Sequence, residues 1–139
     1  MIYLSAQPDS TYFLWQLELQ IFNFSKLGIR PESIVVLIAY HPAKGLSPDF
    51  KMLVKNNKQA SFFTYPDTRI SKQYESSIRP HIIAKHFSKF PNLSYEVIFY
   101  HDSDIILRKI PDFFHLMKDK KWYVSDTRKY LDSAYIIKS

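Results

Sequence analysis

The chain has 139 residues, of which 46% are hydrophobic and 17% aromatic, which is enough for a folded core and excludes an intrinsically disordered chain. With two glycines and no cysteine it has no glycine-rich phosphate loop, no disulfide framework and no thiolate metal site. The 19 Lys and Arg residues against 13 Asp and Glu give a formal net charge of +6, which favours an anionic partner.

Alternating apolar and polar segments predict strands and helices that follow one another along the chain. Strands are predicted over residues 2–5, 34–40, 60–64, 97–100 and 122–125. Helices are predicted over residues 11–27, 47–57, 77–90 and 111–117, and we expect the tail, 126–139, to be helical. This order predicts a single α/β domain over residues 1–139, a Rossmann-like three-layer sandwich with a mainly parallel sheet in the order 3-2-1-4.

The helix predicted over residues 11–27 is apolar on more than its core face. Trp15, Leu19 and Phe22 lie off the face that carries Leu17 and Ile21. A helix that is apolar all round is usually buried on several sides. We therefore expect a covering segment or a homo-oligomer contact here.

Two aspartates follow the fourth predicted strand directly. Asp102 and Asp104 are two residues apart, so in extended backbone both carboxylates project to the same side. Hard anionic oxygen ligands of this kind suit Mg²⁺ or Mn²⁺, which also takes oxygens from a substrate phosphate. The triplet alone is a weak signal, since a polar turn after a core strand has the same pattern.

Position in the predicted sheet brings further groups to these aspartates. Strand one neighbours strand four in the order 3-2-1-4, so the turn at residues 6–9 is expected beside Asp102 and Asp104. Arg79 lies in the first turn of the third helix at the same edge, where an anion would offset its charge. A pairing of Arg79 with Glu75 or Asp67 is the alternative. A divalent metal ion held by the two aspartates, together with the guanidinium of Arg79, would suit a diphosphate ligand.

The segment Val97-Ile-Phe-Tyr-His-Asp102-Ser-Asp104-Ile-Ile-Leu107 resembles the strand and DxD motif of GT-A-fold glycosyltransferases, especially those similar to family 8. The resemblance implies a nucleotide-diphosphate sugar as donor, most readily a UDP-sugar, with Mn²⁺ or Mg²⁺ held by Asp102 and Asp104. The nucleotide-binding residues so implied are Ala6, Gln7, Asp9, Arg79 and Ser103, with Tyr40, Tyr65, Asp67 and Asp126 as weaker candidates. In this assignment the first-strand turn contacts base and ribose, and Ser103 faces the ribose.

One departure from that family is length. Its catalytic domains are longer, and their later part supplies the acceptor site and often a third metal ligand. We therefore expect a truncated chain, the donor-binding portion of a larger enzyme, with an unknown acceptor such as a saccharide, and we assign no catalytic base. A metal-dependent phosphohydrolase or nuclease, and a non-enzymatic nucleic-acid-binding module, are the alternatives.

The basic residues are spread through the chain rather than clustered, so a nucleic-acid partner is not expected. No apolar run approaches the length of a membrane span, and no signal peptide is evident. A chain without cysteine is compatible with a reducing cytoplasm, which is the expected location.

Overall fold

The computed structural model describes residues 1–118, 121 and 124. The chain divides into two compact units, Met1–Lys109 and Ile110–Ser139, and the single domain predicted from the sequence stays a prediction. The second unit contains a short helix, α4 (Phe113–Leu116). The predicted strand over 122–125 lies largely outside the described residues, and the tail over 126–139 lies wholly outside them. Among the described residues, no helix has the length and apolar character needed to cross a bilayer.

The first unit is built on a four-stranded, all-parallel sheet in the order β3-β2-β1-β4, which confirms the predicted fold class and strand order. Its strands are β1 (Ile2–Pro8), β2 (Ile34–Tyr40), β3 (Ser61–Pro66) and β4 (Ile98–Tyr100). Its helices are α1 (Thr11–Lys26), α2 (Pro48–Asn56) and α3 (Ile78–Lys89), with 3₁₀ turns at Pro31–Ser33, Glu75–Ser77 and Pro91–Tyr95. β2 is apolar throughout because helices cover the sheet on both faces.

Alternation along β1 assigns each face of the sheet to a helix. The ring of Tyr3 contacts Phe24 of α1 edge-on, with centroids 5.5 Å apart. Leu4 and Ala6 instead share a buried cluster with Ile82 of α3. Since successive strand residues point to opposite faces, odd-numbered residues of β1 face α1 and even-numbered ones face α3. Burying each large side chain of these two layers contributes about 1.5–3 kcal/mol.

β1 is longer than the sequence suggests. The predicted turn over residues 6–10 is wrong at its start, because the strand continues to Pro8. The main-chain amide of Asp9 still donates to the carbonyl oxygen of Ala39 over 2.7 Å. Gln7, polar enough to indicate a turn, is buried because its amide nitrogen donates to the Leu37 carbonyl oxygen over 3.0 Å.

Helix boundaries follow local chemistry. α1 ends before Gly28, which has φ of 79° and lets the amide of Ile29 reach back to the Phe24 carbonyl. Ser47 caps α2, since its Oγ accepts from the amide of Phe50. Pro80 falls in the first turn of α3, the part of a helix that tolerates proline.

One side of α1 is apolar and exposed. The exposed stripe is formed by Tyr12, Trp15, Leu19 and Phe22, whose side chains are 48–63% exposed. The expectation that this helix is buried on several sides is therefore not met within the described residues. A homo-oligomer contact through the exposed stripe stays a prediction.

Candidate functional site

The extended backbone of β4 continues past its last residue and sets the direction of the acidic pair. The main-chain amide of His101 donates to the Leu4 carbonyl oxygen over 3.0 Å, which adds one more rung to the β1–β4 ladder. His101 and Ser103 are buried, whereas Asp102 and Asp104 are exposed. Burial therefore alternates through residues 101–104, of which Ser103 and Asp104 form a turn, and both carboxylates are exposed.

Arg79 and Asp102 form an ion pair. A guanidinium nitrogen, Nη1, lies 3.0 Å from Oδ1 of Asp102, with the two side chains 26% and 49% exposed. The alternative pairing of Arg79 with Asp67 is not found, because Asp67 pairs with Arg69 instead. The first turn of α3 and the end of β4 therefore meet at the carboxyl edge of the sheet.

A cavity of about 340 Å³ opens at this edge. Its walls come from the end of β1 with the start of α1, and from the start of α3: Pro8, Ser10, Tyr12, Phe13, Glu75, Ser76, Ile78 and Arg79. Neither helix has an acidic residue in its first turn. Two helix N-termini and the Arg79 guanidinium favour an anionic ligand in this cavity, whereas Glu75, which also lines it, opposes one.

Tyr100 belongs to this site, although the sequence analysis did not single it out. Partial burial raises the pKa of its phenol, the charge of Asp102 raises it further, and Arg79 lowers it. These influences place Tyr100 close to the ion pair. The sequence did carry a signal for Tyr100, because it lies two residues before Asp102. In extended backbone this spacing predicts that the two side chains lie on the same side of the chain.

Three amide side chains of α1 hold the acidic segment, and they too escaped the sequence analysis. The amide ladder consists of Gln16, Gln20 and Asn23, at positions i, i+4 and i+7 on one side of an otherwise apolar helix. Gln20 Nε2 donates to the Asp102 carbonyl oxygen over 2.8 Å, and Gln16 Oε1 accepts from Ser103 Oγ over 2.7 Å.

Asn23 completes the ladder at its far end. Its side chain bonds both main-chain groups of Leu107, donating to the carbonyl oxygen over 3.1 Å and accepting from the amide over 2.9 Å. The amide ladder therefore fixes the backbone on both sides of Asp104. Amides at helical spacing on an apolar helix were the signal that could have identified it.

The acidic pair meets the requirements of a hard divalent cation only in part. No group of three His, Cys, Asp or Glu side chains able to hold a metal occurs among the described residues. Asp104 makes no ion pair with any described residue. The carboxylate of Asp102 makes an ion pair with Arg79. Because Mg²⁺ is commonly bound by one or two carboxylates together with waters and substrate phosphates, two exposed carboxylates are compatible with such an ion.

Several residues predicted to touch a nucleotide are buried instead. Ala6 and Gln7 have 3% and 1% exposed surface, because β1 continues through them. Ser103 has 3% exposed surface and donates to Gln16, so its side chain does not face a ribose. Asp9 is partly exposed, but its carboxylate accepts from the amide and the hydroxyl of Ser47. Burial leaves the side chains of Ala6, Gln7 and Ser103 little surface for a nucleotide, and all four assignments stay predictions.

The weaker candidates are placed as follows. Tyr65 is buried and its hydroxyl lies 2.7 Å from His86 Nδ1, so it belongs to the core. Both carboxylate oxygens of Asp67 accept from Arg69, which ties the loop after β3 together. Tyr40 is partly exposed at the end of β2. Asp126 lies outside the described residues.

Comparison with models of protein families, with curated protein sequences and with solved structures gives no match for this chain. Fold and site geometry are therefore the basis for assigning a function.

Proposed function

We propose that the chain is the donor-binding part of a metal-dependent glycosyltransferase, binding a nucleotide-diphosphate sugar, most readily a UDP-sugar. The observation that carries the proposal is the 3.0 Å ion pair between Arg79 and Asp102. It joins a cation at a helix N-terminus to one of two outward carboxylates at the carboxyl edge of a parallel sheet, where such folds bind ligands.

Each group at this edge has a role in the proposal. Asp102 and Asp104 would hold Mn²⁺ or Mg²⁺, which when bound neutralises charge developing on a diphosphate leaving group. Arg79 would donate hydrogen bonds to phosphate oxygens, for which its planar guanidinium is well suited. Because Arg79 now pairs with Asp102, ligand binding would redistribute the bonds of this guanidinium between carboxylate and phosphate.

The reaction itself is transfer of a glycosyl group. The bond between the anomeric carbon and the diphosphate oxygen breaks, a bond from that carbon to an acceptor hydroxyl oxygen forms, and the hydroxyl proton passes to a base. The acceptor is proposed to be a saccharide, and we assign no catalytic base. We propose a cytoplasmic location, with which a chain without cysteine is compatible.

A competing function is metal-dependent phosphate hydrolysis. Hydrolysis through a covalent phospho-enzyme would call for a free nucleophile at the tip of the first strand, whereas hydrolysis by a metal-bound water would not. Asp9, the carboxylate at this place, accepts hydrogen bonds from Ser47 through both oxygens. The covalent route to hydrolysis is therefore disfavoured. The basic residues, which are spread along the sequence, do not favour a nucleic-acid-binding module either.

Thermal shift and calorimetric titration with Mn²⁺ and UDP, GDP or a short oligonucleotide test the proposal. We expect stabilisation by UDP that requires Mn²⁺, and its loss in Asp102→Asn and Asp104→Asn. Glu96→Gln, an equal charge change at the other end of β4, serves as the control. Metal-independent binding of the oligonucleotide, or unchanged UDP binding in both Asn variants, would contradict it.

A further inference from the structure

A second group of polar side chains lies inside the protein, between α1 and the sheet. Each member has less than a tenth of its surface exposed. The buried polar cluster consists of Ser5, Gln7, Gln16, Gln20, His101 and Ser103. Its location follows from the faces defined above, because Ser5 and Gln7 are odd-numbered residues of β1, and His101 contacts Phe24 of α1 with ring centroids 5.3 Å apart.

Four polar atoms of this cluster have no hydrogen-bond partner among the described residues. They are Ser5 Oγ, Gln7 Oε1, Gln20 Oε1 and His101 Nε2. Buried polar atoms in native proteins are almost always paired with protein or with ordered water. Four unpaired atoms on one face of one sheet therefore need an explanation that local side-chain bonding does not give.

Three of these atoms lie at the same level of the fold. β1 pairs with β4 so that Tyr3 stands opposite Phe99. The bond from the His101 amide to the Leu4 carbonyl oxygen continues this register, which brings Ser5 opposite His101. Phe24 of α1 packs on Tyr3. Moving back four residues along the helix covers about 6 Å, and moving two residues along the strand covers about 6.6 Å. Gln20 is thereby placed over Ser5, and its Nε2 lies 3.2 Å from His101 Nδ1.

We propose that a water molecule is bound inside the protein at this level, with Ser5 Oγ, Gln20 Oε1 and His101 Nε2 as its hydrogen-bond partners. Three partners are typical of a buried water, and water matches this set because it can both donate and accept. Gln7 Oε1, two residues farther along β1, would be reached by a second water molecule.

A metal ion fits this position less well. The buried polar cluster contains no carboxylate side chain, and Asp102 directs its own to Arg79. A cation surrounded only by neutral ligands would bring an uncompensated charge into the interior. The chemistry of the set therefore favours water.

The water would help to hold the two side chains that bond the backbone of Asp102. Gln20 and His101 both use their other polar atom toward the Asp102 carbonyl oxygen, over 2.8 Å and 3.0 Å. A water that binds Gln20 Oε1 and His101 Nε2 fixes the opposite ends of the same two side chains. This inference depends on the described geometry alone and not on the proposed sugar transfer.

A crystal structure of the full chain at about 1.5 Å resolution tests the proposal directly. We expect an electron-density peak within about 2.7–3.2 Å of at least two of the three atoms. An empty site, a metal identified by its anomalous signal, or a direct bond between Ser5 Oγ and His101 Nε2 would overturn it.

Thermal unfolding of Ser5→Ala gives an independent test in solution. If the hydroxyl binds water, its removal is expected to lower Tm by about 3–5 °C. Ser61→Ala, at a partly exposed serine of β3, should change Tm by less than half as much. An unchanged or higher Tm in Ser5→Ala would overturn the proposal, because a dry site gains stability when an unpaired hydroxyl is removed.

Discussion

The side-chain amide of Gln20 donates a hydrogen bond to the main-chain carbonyl oxygen of Asp102 over 2.8 Å. Gln20 is fully buried and lies in the middle of α1, which packs on the sheet. A buried side chain of α1 thus helps to hold the backbone at Asp102, together with the neighbouring imidazole of His101.

Gln20→Leu keeps the size of this side chain and removes the hydrogen bond. Because the Asp102 carbonyl oxygen loses one of its two donors and keeps His101 Nδ1, we expect a loss of about 1 kcal/mol in the free energy of unfolding, measured with urea. Affinity for Mn²⁺ with UDP should fall about 10-fold or more, as for other groups that orient ligands. Gln59→Leu, at an exposed position, should change neither quantity.

Asn23→Ala removes both bonds to Leu107. We expect faster hydrogen exchange at residues 103–109, measured by mass spectrometry, because the backbone there loses its anchor to α1. Exchange in β2, which these bonds do not touch, should stay as it is. Unchanged exchange at residues 103–109 in Asn23→Ala would mean that other contacts hold this segment.

Arg79→Gln tests the cation of the proposed site. A hydrogen bond to a charged group contributes about 1.5–3 kcal/mol, so affinity for UDP with Mn²⁺ is expected to fall by about 10- to 100-fold. Stability should change by less than about 1 kcal/mol, because the ion pair with Asp102 is partly exposed. The Arg79→Lys variant should bind UDP with intermediate affinity. Arg30 is in an exposed ion pair, and the Arg30→Gln variant should bind UDP with the affinity of the parent.

Asp67 makes the stability of the fold depend on pH. The hydrogen bond from the Arg69 side chain holds the pKa of this carboxyl well below its ordinary range. A lowered folded-state pKa stabilises the protein fully above the unfolded value of about 3.9, and the contribution is lost as the pH falls below that value. Between pH 6 and pH 3 this group alone should cost about 1 kcal/mol.

Urea unfolding at both pH values measures this effect. Asp67→Asn should reduce the loss of stability on acidification by that amount. Arg69→Gln should do the same, because the pKa of Asp67 then returns toward its ordinary value. Equal acid sensitivity in the parent and both variants would contradict the assignment.

The exposed stripe of α1 bears on self-association. Trp15→Glu and Phe22→Glu place charges on it, and we expect sedimentation velocity to show an oligomer for the parent and a monomer for both variants. Because these side chains are 56% and 54% exposed, stability should change by only about 0.5 kcal/mol. Tyr95→Glu, at a position 90% exposed, is the control. A monomeric parent at high concentration would refute the predicted homo-oligomer.

Periodicity was sufficient to predict the architecture. Continuous apolar runs and the cap and stop residues gave the order of elements, and connection rules gave the strand order that the structure shows. The same reasoning brought Arg79 and Asp102 to one edge of the sheet, where they pair. Both successes depend on backbone geometry, which local sequence largely determines.

Side-chain partners were harder to predict. Gln7 was assigned to a ligand through the resemblance to GT-A-fold glycosyltransferases, but its amide donates to the Leu37 carbonyl oxygen inside the protein. Ser103 was assigned to a ribose through the same resemblance, and its hydroxyl donates to Gln16. Such bonds join residues 30 and 87 positions apart, so no local pattern identifies them.

The alternation that begins in β4 and runs on through Asp104 has a consequence for how this region tolerates changes in length. Inserting or deleting one residue between Phe99 and Asp102 would reverse the phase, sending the two acids inward and the imidazole of His101 into solvent. Adding two residues would restore the phase. Lineages carrying this segment should therefore vary in length here by even numbers, if at all.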